Sequence, residues 1–188
     1  MKKGSGFDRF WQIIYHRRDR YRQLTGIMFI IFMTIVGKPF GSALAVGAIL
    51  VLLGVLVRMW ASGHIKKYKA LATDGPYAYV RHPLYVGNTL LGIGFSLASG
   101  LWWGILLFIL IMLFFYPHAI RLEDEKLHRL FGDAWESWRR KTRALIPTVS
   151  AKDATGGDWS FYQSLRQNGE PIIALFLFVC LIFLYVRL

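Results

Sequence analysis

Five apolar runs set the pattern of the chain. Residues 24–36, 41–60, 84–98, 101–117 and 171–186 carry almost no charge, and polar or basic stretches separate them. Runs of this length and continuity predict membrane-spanning helices, although several fall short of the roughly 20 residues that cross a bilayer unaided. Flanking Lys, Arg, Trp and Tyr that reach the interface would let the short ones cross. Ahead of them, Phe7, Phe10, Trp11, Ile14 and Tyr15 recur at helical spacing among arginines, which predicts an interfacial helix over 7–22. "GKPFG" predicts a tight turn between the first two spans, and "SG" separates the third from the fourth. Ala43, Gly47 and Gly54 predict close helix packing in lipid. The expected fold is therefore an all-α integral membrane protein of about five transmembrane helices. Its parts are a basic segment 1–23, a core 24–147, a loop 148–170 and a last helix 171–188.

Charge placement gives this map an orientation. Of the 23 Lys and Arg, 21 fall in residues 1–23, 57–83 and 121–170, which five spans put on one side. Only Lys38 and Arg187 lie on the other. The excess of positive charge marks the cytoplasmic side, so the N-terminus and the large loops are expected there. No small-residue cleavage site follows residues 1–23, so no signal peptide is expected.

The composition agrees: 55% of residues are hydrophobic, 18% are charged and the mean hydropathy is +0.39. The net charge of +12 is spread along membrane flanks. That favours attraction to anionic lipid headgroups, and no nucleic-acid partner is expected. Cys180 is the one cysteine and lies inside the last apolar run, where an inert thiol is expected.

Two polar clusters remain. "GPYAYVRHPLYVG" holds Tyr77, Tyr79, Arg81, His82 and Tyr85 where the third span begins. Arg121, Glu123, Asp124 and Glu125 follow the fourth span. The hairpin of 84–98 and 101–117 returns both clusters to the same side, so they are expected to meet. One offers cations and aromatic faces, the other carboxylates. Together they suit a ligand with an anionic group, a cationic group and a flat ring, since arginine takes a carboxylate bidentately and a tyrosine face stacks or attracts a cation. Singly, each has a plainer reading. Arginine and histidine anchor span edges, and acids favour a helix N-terminus. His16, His64, His118 and His128 are scattered and read as structural, with no zinc-ligand spacing and no Gly-rich phosphate loop.

The first cluster fills the pattern G-x-Y-x-x-x-R-H-P-x-Y-x-G with Gly75, Tyr77, Arg81, His82, Pro83, Tyr85 and Gly87. The second fills a pair of acids followed by L-x-x-x-F-G and two aromatics, with Glu123, Asp124, Leu127, Phe131, Gly132, Trp135 and Trp138. Over about residues 45–147 the chain thus resembles the isoprenylcysteine carboxyl methyltransferase and phospholipid methyltransferase superfamily, integral-membrane enzymes that use S-adenosylmethionine. The resemblance implies a cofactor pocket lined by Lys69, Ala70, Leu71, Ala72, Tyr77, His82, Pro83, Leu84 and Tyr85, with Glu123 on the cofactor's ammonium. It implies Arg81, Glu123 and Asp124 as catalytic residues. Gly92 and Gly94 resemble the Gly-x-Gly of phospholipid methyltransferases.

Two positions depart from the pattern. Asp124 stands where the family usually has Glu. Ala119 stands where the carboxyl methyltransferases carry a substrate-binding arginine, and Arg121, two residues on, is the substrate-binding candidate from another helix face. The expected activity is methyl transfer from S-adenosylmethionine to a lipophilic acceptor: a lipid, a prenylated compound or a small apolar thiol, amine or carboxylate. The alternatives are a non-catalytic protein that binds anionic lipid and a reductase of the sterol-reductase kind using a nicotinamide cofactor. Against the latter, Leu84 and Asn88 replace its signature Asn and Asp.

Overall fold

The computed structural model describes residues 6–65, 70–148, 157, 159–165 and 169–188, with side chains from residue 21 onward. Among these, seven α-helices and one short 3-10 turn account for the ordered backbone, with no strand. They are α1 (Gly6–Val36), α2 (Gly41–His64), the turn Gly75–Ala78, α3 (Pro83–Ala98), α4 (Trp102–Phe131), α5 (Asp133–Lys141), α6 (Phe161–Gln163) and α7 (Glu170–Val186).

All five apolar runs are helical. Gly41–His64 and Trp102–Phe131 are long and apolar enough to cross a membrane. Within them only 28% and 17% of the apolar stretch is buried, so their outer faces ask for a lipid-like surrounding. Tyr21–Val36, Pro83–Ala98 and Glu170–Val186 are shorter apolar helices; sixteen residues of α3 rise only about 24 Å.

Two boundaries differ from the sequence pattern. The helix expected over 7–22 and the first apolar run form one continuous helix, α1, because nothing between residues 22 and 24 breaks the backbone. The fourth apolar run continues through Pro117 to Phe131, so the acidic cluster sits within α4. Gly132 then adopts φ 52°, a left-handed conformation suited to glycine, and stops the helix. Asp133 and Glu136 open α5 and Arg139, Arg140 and Lys141 close it, each charge complementing the helix dipole.

The core hairpin is α2 against α3. A Cβ on Gly54 would strike the carbonyl of Gly87, and one on Gly94 the carbonyl of Gly47. The two glycines on each helix are seven residues apart and pair in antiparallel register, 47 with 94 and 54 with 87, so backbone lies on backbone. Leu44, Val51 and Val55 of α2 and Leu91, Phe95 and Ala98 of α3 join Ala174, Leu177, Cys180 and Leu184 of α7 in one apolar cluster. On the other flank α1 meets α4: the Phe29 and Phe108 rings lie 5.5 Å apart, beside fully buried Met33. Phe108 in turn fills the space over Gly92, which gives that glycine a packing reason.

Candidate active site

The Arg-His stretch is held from two directions. Below it, Asp74 accepts from Tyr77 N–H to start the turn, and Gly75 turns with φ 54° against the ring of His64, leaving no room for a Cβ. His64 Nδ1 lies 3.1 Å from the Asp74 carboxylate, so this histidine is structural. Above it, the chain after α5 returns alongside. Arg81 N–H donates to Arg143 O at 2.8 Å and His82 N–H to Ala144 O at 3.0 Å. Thr148 N–H donates to Tyr79 O at 2.9 Å, and the Trp138 indole to Tyr77 O at 3.2 Å. These contacts satisfy backbone groups that an extended segment would otherwise leave unpaired. His82 then caps α3, whose first residue is Pro83, with φ preset for a helix start.

The hairpin of α3 and α4 brings the two polar clusters together at Asp124. His82 Nε2 lies 3.1 Å from Asp124 Oδ1, and its Nδ1 is 3.6 Å from Glu123 Oε2. Arg81 Nη1 approaches Asp124 Oδ2 at 3.0 Å. That is an ionic contact without hydrogen-bond alignment: Arg81 Nε and Nη1 are buried and make no hydrogen bond among the described residues. Burial alone would pull the His82 pKa down, but the hydrogen bond to Asp124 and the nearby Glu123 carboxylate, with the charges of both, outweigh it and hold it above the ordinary 6.5. The sign follows. A raised folded pKa gives stability that is complete below about 6.5 and is lost as pH rises through the folded value. The unfolding midpoint of the wild type is therefore expected to fall across that window, and His82→Asn to flatten the fall. Parallel thermal melts from pH 5.5 to pH 8.5 measure it; equal slopes in both proteins would refute the His82 assignment.

Aromatic rings continue the site inward. Tyr85 meets His82 edge-on at 5.7 Å and Tyr116 edge-on at 4.8 Å. Arg22 of α1 lies over the Tyr85 ring at 5.0 Å and donates to its hydroxyl. Burial first, then the charges of Glu123, Glu170 and Asp74, hold the Tyr77 phenol well above its ordinary value, so it is a neutral donor.

A cavity of about 620 Å³ opens beside this junction, bounded by α1, α2, α3, α4 and α7. Tyr77, Arg81, His82, Pro83, Leu84, Tyr85 and Glu123 all line it. Asp124 stands behind the wall, holding Arg81 and His82. Leu71 and Ala72 pack instead against Ala61, Tyr77, Trp135 and Trp138. Ala70 is exposed, and Lys69 lies outside the described residues. Arg121 is largely exposed and pairs with Glu125 at 2.9 Å, away from the cavity. The displaced arginine thus points to solvent, while Ala119 is buried beside Tyr85 and Tyr116.

Sequence reasoning missed a second polar group in the same cavity. Arg58 of α2 binds Glu170 of α7 through two parallel hydrogen bonds, Nε to Oε2 at 2.9 Å and Nη2 to Oε1 at 2.7 Å, and also donates to Asn88 of α3. All three residues line the cavity, and Glu170 is almost fully buried. The arginine inside the second apolar run and the acid opening the fifth were the available signals, because ionisable residues at such depth are costly and usually functional.

Residues 42–134 match the phospholipid methyltransferase family. Over 79 residues the chain is 40% identical to the protein-S-isoprenylcysteine O-methyltransferase of Schizosaccharomyces pombe, covering 42% of this chain and 34% of that protein. It is 35% identical over 89 residues to the methanethiol S-methyltransferase of Crocosphaera subtropica, covering 46% and 34% respectively. It is also 35% identical over 111 residues to a nickel-cobalt-cadmium resistance protein of Alcaligenes xylosoxydans xylosoxydans, covering 57% and 51%. The matches span about half or less of these curated relatives. No solved structure matches the chain. Among the described residues, no group of three or more His, Cys, Asp or Glu is placed to hold a metal ion.

Proposed function

For a chain that belongs, through residues 42–134, to the phospholipid methyltransferase family, we propose an integral-membrane enzyme that transfers a methyl group from S-adenosylmethionine to a lipophilic acceptor. One observation carries this reading. The Arg81 guanidinium is buried in the cavity wall with Nε and Nη1 making no hydrogen bond among the described residues, and Glu123 lines the same cavity. A buried donor without a partner costs free energy that a ligand can recover. The residues present fit the cofactor: Arg81 for its carboxylate, Glu123 for its ammonium, and the Tyr77 and Tyr85 faces for its ring. The cavity volume is ordinary for a small-molecule site.

When bound, the cofactor supplies a methyl group already activated by its sulfonium. The chain's own residues then position and shield. Asp124 fixes Arg81 and His82, and the carboxylates of Asp124 and Glu123 beside His82 favour its protonated form. The apolar walls from Ile27 and Ile30 of α1, and Ile173 and Phe176 of α7, exclude water and strengthen the polar contacts. The same walls suit an acceptor that enters from the bilayer between α1 and α7. Five spans, with the N-terminus and the large loops cytoplasmic, complete the reading; the one-sided distribution of 21 of 23 Lys and Arg supports it.

The test is calorimetric titration of detergent-purified protein with S-adenosylmethionine, with Glu123→Ala and His82→Ala alongside. Wild-type binding that both substitutions weaken at least tenfold is the expected result. A well-folded wild type that binds none would end the methyltransferase reading and leave an anionic-lipid or nicotinamide-cofactor site in its place.

A further inference from the structure

The Arg58–Glu170–Asn88 group lies outside the chemistry assigned so far. Glu170 also lies outside residues 42–134, on a helix of its own, α7. It is not a surface ion pair: the Arg58 and Glu170 side chains are 14% and 4% exposed. Arg58 crosses α3 at Gly87, where a Cβ would collide with its stem, and its fork closes on both Glu170 oxygens. Burying two charges costs more than such a pair usually returns. Both charges face the cavity, which Tyr77 and Glu123 also line.

We propose that this pair is the acceptor site of the cavity, and that it takes a thiol on an apolar chain, with Glu170 as the proton acceptor and Arg58 as the holder of the thiolate. The inference rests on the methyl-transfer reading and names its substrate class. Arg58 is already engaged by a carboxylate on two parallel bonds, so an acceptor carboxylate would have to displace Glu170 and strand it buried. A protonated amine would bring a second cation beside Arg58. A thiol enters neutral and disturbs neither charge. Its proton then passes to a Glu170 oxygen, and the thiolate takes the place of the carboxylate beside Arg58. One anion faces one cation before and after, so no net charge is created in a low-dielectric site. Asn88 holds the guanidinium through the exchange. The new carbon–sulfur bond forms on the thiolate, and the bond broken joins the methyl carbon to the donor sulfonium, whose electron pair stays on the departing sulfur. The proton leaves Glu170 for water as product departs.

The experiment uses full-length protein in detergent, with 1-decanethiol and decanoate as probes of equal chain length. S-adenosylmethionine affinity is measured first on every protein; no binding by the wild type would remove the methyltransferase reading itself, independently of Glu170. Probe binding is then measured with S-adenosylhomocysteine present, so that no reaction occurs. The wild type is expected to bind decanethiol at least tenfold more tightly than decanoate. Glu170→Ala releases Arg58 and is expected to reverse that preference. Glu170→Gln keeps the shape without the base; it is expected to bind decanethiol within about threefold of wild type but methylate it at least 30-fold more slowly. Wild type that binds cofactor yet prefers decanoate, or binds neither probe, overturns the proposal. So does Glu170→Gln protein with undiminished thiol methylation, a result that decides the matter even where Glu170→Ala fails to fold.

Discussion

Replacing Asp124 by alanine is expected to lower methyl transfer at least 100-fold and to weaken cofactor binding by a similar factor. Asp124 reaches both Arg81, at 3.0 Å, and His82, at 3.1 Å, from a single carboxylate. Its loss strands a buried guanidinium and a buried imidazole. Breaking a buried pair by removing one partner costs about 3–5 kcal/mol, and about 1.4 kcal/mol corresponds to a factor of ten. The residual Glu123 contact, at 3.6 Å, is too long to hold His82 alone. A control separates site from fold: Glu125→Ala removes a neighbouring acid that pairs with exposed Arg121 and is expected to change activity less than twofold. Radiolabelled methyl transfer and calorimetric affinity on the same preparations measure both. Asp124→Ala protein with near-normal cofactor affinity would show that Arg81 and His82 need no partner.

Gly47→Leu is expected to prevent formation of the folded protein. A Cβ on Gly47 would run into the backbone of Gly94 and Ala98, and backbone cannot turn aside as a side-chain tip can. Overpacking a well-filled core costs about 1–3 kcal/mol; with three further side-chain carbons facing a helix backbone, the cost exceeds that range. A folded domain has only about 5–15 kcal/mol to lose. Gly41→Ala, at a position with nothing within 4 Å, is the matching control. Size-exclusion profiles in mild detergent and thermal melts measure the difference. A monodisperse Gly47→Leu protein with a wild-type midpoint would mean that α2 and α3 are not in backbone contact.

The apolar runs were legible because they are local: an uninterrupted stretch of Ile, Leu, Val and Phe announces a helix without reference to the rest of the chain. The meeting of the two polar clusters was legible as well, since a hairpin of two runs of similar length returns its ends to one side. Asp124 as the shared partner was not, because three adjacent acids look alike until the α4 rotation selects one. Arg121 illustrates the same point: its side chain points outward by the same rotation that turns Asp124 in. Arg58 and Glu170 are 112 residues apart, and no periodicity links positions so distant. The return of residues 143–148 along the Arg-His stretch was hidden for another reason. It is built from backbone hydrogen bonds, to which side-chain identity is nearly indifferent. The join between the helix expected over 7–22 and the first apolar run was hidden because the change from charged to apolar composition marks a change of environment and not a break in the backbone.

The glycine register between α2 and α3 has a mechanical consequence. Two helices in contact through their main chains have no rotamers to repack. Neither can slide or roll on the other without losing the seam, and the hairpin acts as a stator. The Arg-His stretch leads directly into α3 and Arg58 projects from α2, so both polar groups of the cavity are mounted on this stiff part. The facing walls, α1 and α7, meet it through side chains such as Ile30 and Phe176, which can exchange positions at modest cost. Any widening that admits a long apolar molecule therefore falls to α1 and α7. Because α7 carries Glu170, such a movement would loosen the grip on Arg58 at the moment of entry and restore it on closure.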